Sequence, residues 1–112
     1  MKKILITAFL ILNVAAAKIE VNKASHYHDK FNGRKTASGE IFSQKKFTAA
    51  TNLYPIGKKL VVINAKTGDS VIIRVNDRIS NRFSNRIDLT KAAFKEIANL
   101  KEGVIPVTVK EI

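Results

Sequence analysis

Asp77 is the residue whose type and setting most readily suggest chemistry. It falls near the end of Val71-Ile72-Ile73-Arg74-Val75-Asn76-Asp77-Arg78, a run opened by three β-branched residues that reads as a buried strand. A strand that delivers a carboxylate between an amide and a guanidinium presents an acid/base group whose protonation burial can tune. The competing reading is an Asx-type turn, in which Asp77 only caps backbone N–H groups. His26, His28 and Asp29 form a second cluster. On a strand the two imidazoles share one face, but no fourth ligand or supporting shell is visible, so no metal site and no cofactor is assigned. The chain has no cysteine and no serine in a nucleophile elbow, which sets nucleophilic catalysis aside. Arg74, Arg78, Arg82 and Arg86 recur every fourth residue, a basic stripe if the segment were helical. The β-branched start and the Ser/Asn-rich remainder oppose that helix, and nucleic acid is not the expected partner.

The elements that must position these groups are short. Lys18–Ala24 reads as a polar lead-in and Ser25–His28 as a strand. Asp29–Glu40 is dense in turn formers and reads as a long loop, bracketed by Phe31 and Phe42, which pin it to the core. Phe47–Thr51 is a short strand and Tyr54–Gly57 a turn. Leu60–Asn64 and Val71–Val75 form an antiparallel hairpin about Lys66–Asp69. The one helix follows Thr90, a good N-cap with Leu89 and Phe94 at staple positions. It runs toward Gly103 with Ala93, Ile97 and Leu100 on its buried face. Val104–Ile112 alternates as a final strand, with Pro106 placed where no ladder donor is needed. Short strands with a single helix predict a small β-barrel, because closure removes exposed sheet edges. Tyr27 and Tyr54 then either stack on sugar rings or fill the barrel mouth.

The start of the chain reads as an export leader. Lys2 and Lys3 precede an apolar run over Ile4–Val14, and Ala15-Ala16-Ala17 supplies a small-residue cleavage site. The run is too short for a comfortable membrane span, so no stable membrane insertion is expected. Cleavage after Ala17 leaves 95 residues from Lys18 as one domain, periplasmic or secreted and expected to be a monomer. Losing Lys2 and Lys3 lowers the formal charge from +11 to +9, which suits a polyanionic surface such as cell wall.

The ordered runs Ala24-Ser25-x-Tyr27, Phe31-x-Gly33-Arg34-x-Thr36-Ala37-Ser38-Gly39-Glu40-x-Phe42 and Thr48-Ala49-Ala50 are similar to the rare lipoprotein A family. So are Pro55-x-Gly57, Val75-Asn76-Asp77-Arg78 and Ile87-Asp88-Leu89-Thr90 followed by Ala92-Ala93. The resemblance implies a mainly β fold, a six-stranded double-psi β-barrel with one short helix, related to expansins. It further implies a peptidoglycan lytic transglycosylase, whose partners are the glycan strands of the wall. On that footing Asp77 is the acid/base carboxylate and Glu40 assists by orienting the sugar or stabilising developing positive charge. Tyr27, Arg34, Thr51, Asn76 and Arg78 contact substrate. Lysis differs from hydrolysis in that the sugar's own C6 hydroxyl closes a 1,6-anhydro ring in place of water. The chain departs from the family pattern at Thr51, where the family has a histidine eleven residues after the glutamate. It departs also at His28 (usually Gly), Asn32 (His) and Ile79-Ser80 (Gly-Pro). The alternatives are a non-catalytic, expansin-like wall-binding module and a secreted partner-binding protein that kept only the barrel.

Overall fold

The computed structural model describes residues 19–112; the leader and its cleavage point lie outside the described residues. Among the described residues six strands alternate with loops and one α-helix. They are β1 (Lys23–His26), β2 (Thr48–Ala50), β3 (Lys59–Asn64), β4 (Ser70–Asp77), β5 (Arg86–Leu89) and β6 (Ile105–Glu111), with α1 (Lys91–Ile97) between β5 and β6. They close into a barrel in the order β1-β5-β2-β4-β3-β6. The β1–β5 and β2–β4 pairs are parallel and the other four antiparallel. This is the double-psi β-barrel with one helix that the sequence led us to expect.

The hairpin β3–β4 pairs from Lys59↔Arg74 to Ile63↔Ser70, with Gly68 in its turn donating back to the Asn64 carbonyl. Strict alternation sends Leu60, Val62, Val71, Ile73 and Val75 inward and leaves Ile72 outside. Ala24, Ala49, Ile87, Leu89, Ile105 and Val107 complete the lining, and Ala93, Phe94 and Ile97 of α1 pack against it. Asn64, also inward and buried, donates from Nδ2 to the Ile97 carbonyl at 2.7 Å and so satisfies an orphan acceptor at the helix end. Pro106 offers only its carbonyl, taken by Ala65 N–H, while Val107 N–H reaches Asn22.

Three boundaries differ from expectation for local reasons. β1 begins and ends two residues earlier than predicted, because His28 leaves the strand to cap the 3-10 turn Asp29–Phe31, its Nδ1 accepting Lys30 N–H. Arg86–Leu89 is a strand the sequence did not single out, four residues long and following a 3-10 turn at Asn81–Phe83. α1 starts as foreseen, with Thr90 Oγ1 accepting Ala93 N–H and Leu89 and Phe94 fully buried beside the cap. It stops at Ala98, whose backbone is extended (φ −163°, ψ 171°). Asn99 and Glu102 then form their own capping box, so Leu100 belongs to a separate 3-10 turn and not to the helix.

Candidate active site

Asp77 reaches its position through a β-bulge. Ala49 pairs with Val75 but Ala50 pairs with Asp77, so Asn76 is an extra residue in β4. Alternation without the bulge would send Asp77 inward behind Val71, Ile73 and Val75. The extra residue moves it to the outer face, the face of Arg74. There its carboxylate accepts from three donors. Ala37 N–H and Arg78 N–H bind Oδ1 at 2.9 and 2.8 Å, and the Tyr27 hydroxyl binds Oδ2 at 2.8 Å. The bond to Arg78 N–H is local, as an Asx turn would have it. The other two come from 40 and 50 residues away and fix the side chain against a second chain segment.

The loop Thr36–Glu40 docks on this end of β4. Ser38 N–H donates to the Asn76 carbonyl, Thr36 N–H to the Glu40 carbonyl, and Gly39 turns the chain with φ +89°, a conformation that side chains with a Cβ avoid. Glu40 is gripped by both guanidinium nitrogens of Arg74, with Nη2 to Oε2 at 2.8 Å and Nη1 on Oε1. That bidentate pairing holds the Glu40 carboxyl below its ordinary range, against a smaller opposing effect of burial. Glu40 and Asp77 therefore lie on one face of β4, Glu40 fixed there as an anion.

Tyr27 is buried, its ring tilted on Phe42 (centroids 4.2 Å) and edge-on to Phe31 (5.9 Å). With Ala50 and Ile79 these rings form a small apolar cluster over the outer wall, separate from the barrel core. Burial, and the bond to Asp77, push the Tyr27 hydroxyl's pKa upward, so it stays a donor. The tyrosine expected to stack on sugar instead braces the carboxylate. Arg34 is exposed and lies over the Phe31 ring, 5.6 Å from its centroid.

Three of the expected substrate contacts are engaged within the fold, two of them buried. Thr51 has no exposed surface; its N–H donates to the Asp77 carbonyl and its Oγ1 accepts Leu53 N–H, so it supports β4 from beneath. Asn76, as the bulge residue, is buried, with Oδ1 unpartnered among the described residues. Arg78 turns away from Asp77 and ties Nη1 to the carbonyls of Thr51 and Tyr54 at 2.6 and 2.7 Å, clamping the loop after β2. His26 packs edge-on against Phe94 and donates from Nε2 to the Leu100 carbonyl, well separated in role from His28. No group of three or more metal-ligating side chains occurs among the described residues. Tyr54 lies elsewhere, lining a cleft of about 500 Å³ with Glu20 and β6, three strands round the barrel from β2.

Sequence reasoning about the site's chemistry passed over Asp88. Register places it with precision: Ala50 pairs with Asp77 on one side and with Asp88 on the other, and Asp88 pairs with Ser25. Asp77, Ala50, Asp88 and Ser25 thus form one row across β4, β2, β5 and β1 on the outer wall. Burial raises the Asp88 carboxyl to about 6, outweighing the Ser25 hydroxyl bond to Oδ1 (3.1 Å) and the nearby His26 and Arg86. The available signal was the Ile87-Asp88-Leu89 alternation, an acid between two fully buried apolar residues.

Fold and site together define a double-psi β-barrel domain with carboxyl groups gathered on one outer wall. Residues 19–109 match the family model described as lytic transglycolase, and the chain belongs to that family. It is 41% identical over 100 residues to the endolytic peptidoglycan transglycosylase RlpA of Haemophilus influenzae, covering 89% of this chain and 35% of that protein. The chain spans about a third of the length of that protein and of the RlpA of Pasteurella multocida. Among solved structures, a Streptomyces papain inhibitor superposes with a TM-score of 0.66 at 24% identity, covering 86% of this chain and 96% of that one. An expansin of Clavibacter michiganensis does so at 0.65 and 20%, covering 80% and 48%.

Proposed function

We propose that this domain cleaves the glycan strands of peptidoglycan by lysis without water, leaving 1,6-anhydro ends. The observation that carries the reading is Asp77, lifted onto the outer wall by the bulge and held by Tyr27 and Ala37. Membership of the lytic transglycolase family and the relatives named as peptidoglycan transglycosylases support it. Asp77 handles the proton, and in its carboxylate form it can take the proton of the sugar's C6 hydroxyl as O6 closes on C1. Glu40, fixed as an anion by Arg74, offsets the positive charge that grows at C1 or orients the ring. No cofactor enters. The substrate-facing surface comprises the exposed edge of Asp77, Glu40 and Arg34. Arg78, Asn76 and Thr51 set the shape beneath it.

Export and a single domain over residues 18–112, acting as a monomer outside the inner membrane, belong to the same proposal. Among the described residues no helix is long and apolar enough to cross a membrane. N-terminal sequencing of the exported protein should begin at Lys18; a retained Met1 would refute the leader.

The direct test is digestion of peptide-free glycan strands, with 1,6-anhydro ends counted by mass spectrometry. The natural protein should generate them, and Asp77→Asn, which keeps shape but cannot cycle a proton, should lose about 10²–10⁴-fold. A second reading is favoured by one observation. Thr51, in the position of the family histidine, is buried and carries no titratable group. A wall-binding module follows if strands are bound and no new ends appear.

A further inference from the structure

Beyond Asp77 and Arg78 the chain forms a loop over residues 79–85 before it enters β5 at Arg86. Both ends of the loop are pinned. Asn52 donates from Nδ2 to the Ile79 carbonyl at 2.8 Å, and its Oδ1 accepts Ile79 N–H at 3.1 Å. At the far end the Asn85 carbonyl accepts Asn22 N–H at 2.9 Å, and Asn85 Nδ2 donates to Asn22 Oδ1. Between the pins, the 3-10 turn Asn81–Phe83 is capped by Ser80 Oγ, which accepts Arg82 N–H. The fold thus fixes the position of the Phe83 ring.

Two guanidinium groups share that ring. The Arg86 guanidinium carbon lies 4.4 Å from the Phe83 centroid and that of Arg82 lies 5.8 Å away. Lys23, the register partner of Arg86 on β1, is exposed beside them on the outer face. Among the described residues none of these three cations has an ion-pair partner. The Nε edge of Arg86 is sealed with no acceptor, whereas its terminal nitrogens are unsealed and equally without a described partner. Asp88, the one acid on β5, is largely desolvated and has Oδ1 on the Ser25 hydroxyl, so it does not neutralise the pair by contact. Stacking on the ring reduces the freedom a guanidinium loses when it binds, and its planar fork matches a carboxylate.

We propose that the Arg82–Phe83–Arg86 cluster is an accessory subsite that reads carboxylates carried by the glycan strand. This rests on the glycan-strand reading above and adds a charge-reading element to it. Arg86 is two residues along β5 from Asp88, which shares a row with Ala50 and Asp77. Two inter-strand steps and two residues put the Arg86 and Asp77 Cα atoms roughly 12 Å apart along the wall. A strand seated at Asp77 covers that distance with a few sugar rings, passing over the buried Tyr27–Phe42 cluster and not into it.

A neutral polysaccharide offers these cations nothing to pair with. Peptidoglycan does, because alternate rings of its strands carry a lactyl carboxyl, either free or extended by an acidic stem peptide. Both forms present a carboxylate, and a ring-stacked guanidinium with a second one close by takes it with charge-assisted hydrogen bonds.

The experiment measures binding by calorimetry in the full chain carrying Asp77→Asn, so that strands stay whole, with and without Arg82→Gln and Arg86→Gln together. The probes are peptide-free strands, the same strands with their carboxyls converted to methylamides, and peptide-bearing strands. Removing both arginines should weaken binding of an acidic strand about tenfold, as charge-assisted pairs at a partly exposed site would. Amidated strands should bind equally with and without the arginines, because the two removals delete one interaction. Added salt should weaken binding with the arginines present and much less without them. The strand that shows the larger loss identifies the source, lactyl arm or stem peptide. Arg82→Glu, at an exposed position, should lose binding in the same sense without disturbing the packed Arg86, and cooperative unfolding checks each variant's fold. An equal loss on amidated strands, or a loss below about twofold on both acidic strands, would overturn the proposal. So would a loss confined to anionic phospholipid vesicles, which would make the cluster a lipid-facing site. Absence of anhydro ends from the natural protein refutes lysis alone; absence of strand binding refutes the glycan reading and this subsite with it.

Discussion

Asp88→Asn should stabilise the protein at neutral pH, and the gain should disappear in acid. The folded carboxyl is raised from an ordinary 3.8 to about 6, chiefly by burial. A folded value above the unfolded one means that the native state holds its proton more tightly. The group's contribution to stability is then whole below about pH 4 and is lost as pH rises through about 6. A shift of roughly two pK units corresponds to about 3 kcal/mol at most. Asp88 keeps some exposure and relaxation softens desolvation, so roughly 1–3 kcal/mol is the expected range. Asn is isosteric, stays neutral at every pH and accepts the Ser25 hydroxyl. Urea unfolding of the full-length natural and variant chains at about pH 4 and about pH 7.5 measures the difference. The variant should match the natural protein at the lower pH and exceed it at the higher, with a melting temperature several degrees up. Equal destabilisation at both pH values would refute the reasoning, since it would mean that Asp88 is held as a stabilised anion.

Two further outcomes test the bracing of the site. Tyr27→Phe keeps the ring packing on Phe42 and removes one donor from Asp77. It should cost about 1 kcal/mol in denaturant unfolding and lower anhydro-end formation about tenfold or more; unchanged activity would show that Asp77 does not need that bond. Thr51→His places an imidazole where no surface is exposed. Overpacking should cost about 1–3 kcal/mol in the same unfolding assay without raising activity, and a variant of undiminished stability with faster product formation would show that the position opens to the groove.

Much of the frame was legible locally. The Leu60–Asn64 and Val71–Val75 runs, the Lys66–Asp69 turn and the Thr90 cap with its Leu89–Phe94 flank are short-range patterns. The structure realises each nearly where the residues put it, because pleat alternation and capping need only a few neighbours. Family likeness brought Asp77 and Glu40 forward as a pair.

What only tertiary structure decided is everything that depends on register between distant segments. Arg86–Leu89 is too short and polar to declare itself a strand, and becomes one because β1 and β2 pair with its two edges. The bulge at Asn76 reverses the face of Asp77, and no local periodicity marks it. Tyr27, Thr51 and Arg78 resemble groove residues in the sequence but serve as brace, underlay and clamp, since their partners lie 24 to 50 residues away. Asp88 shows the difference most plainly. Its sequence neighbours mark it as an outward residue on an alternating run. Closure of the barrel seals it beside Ser25, in line with Ala50 and Asp77, and that desolvation, which is a property of the packed wall and of no single segment, sets its protonation.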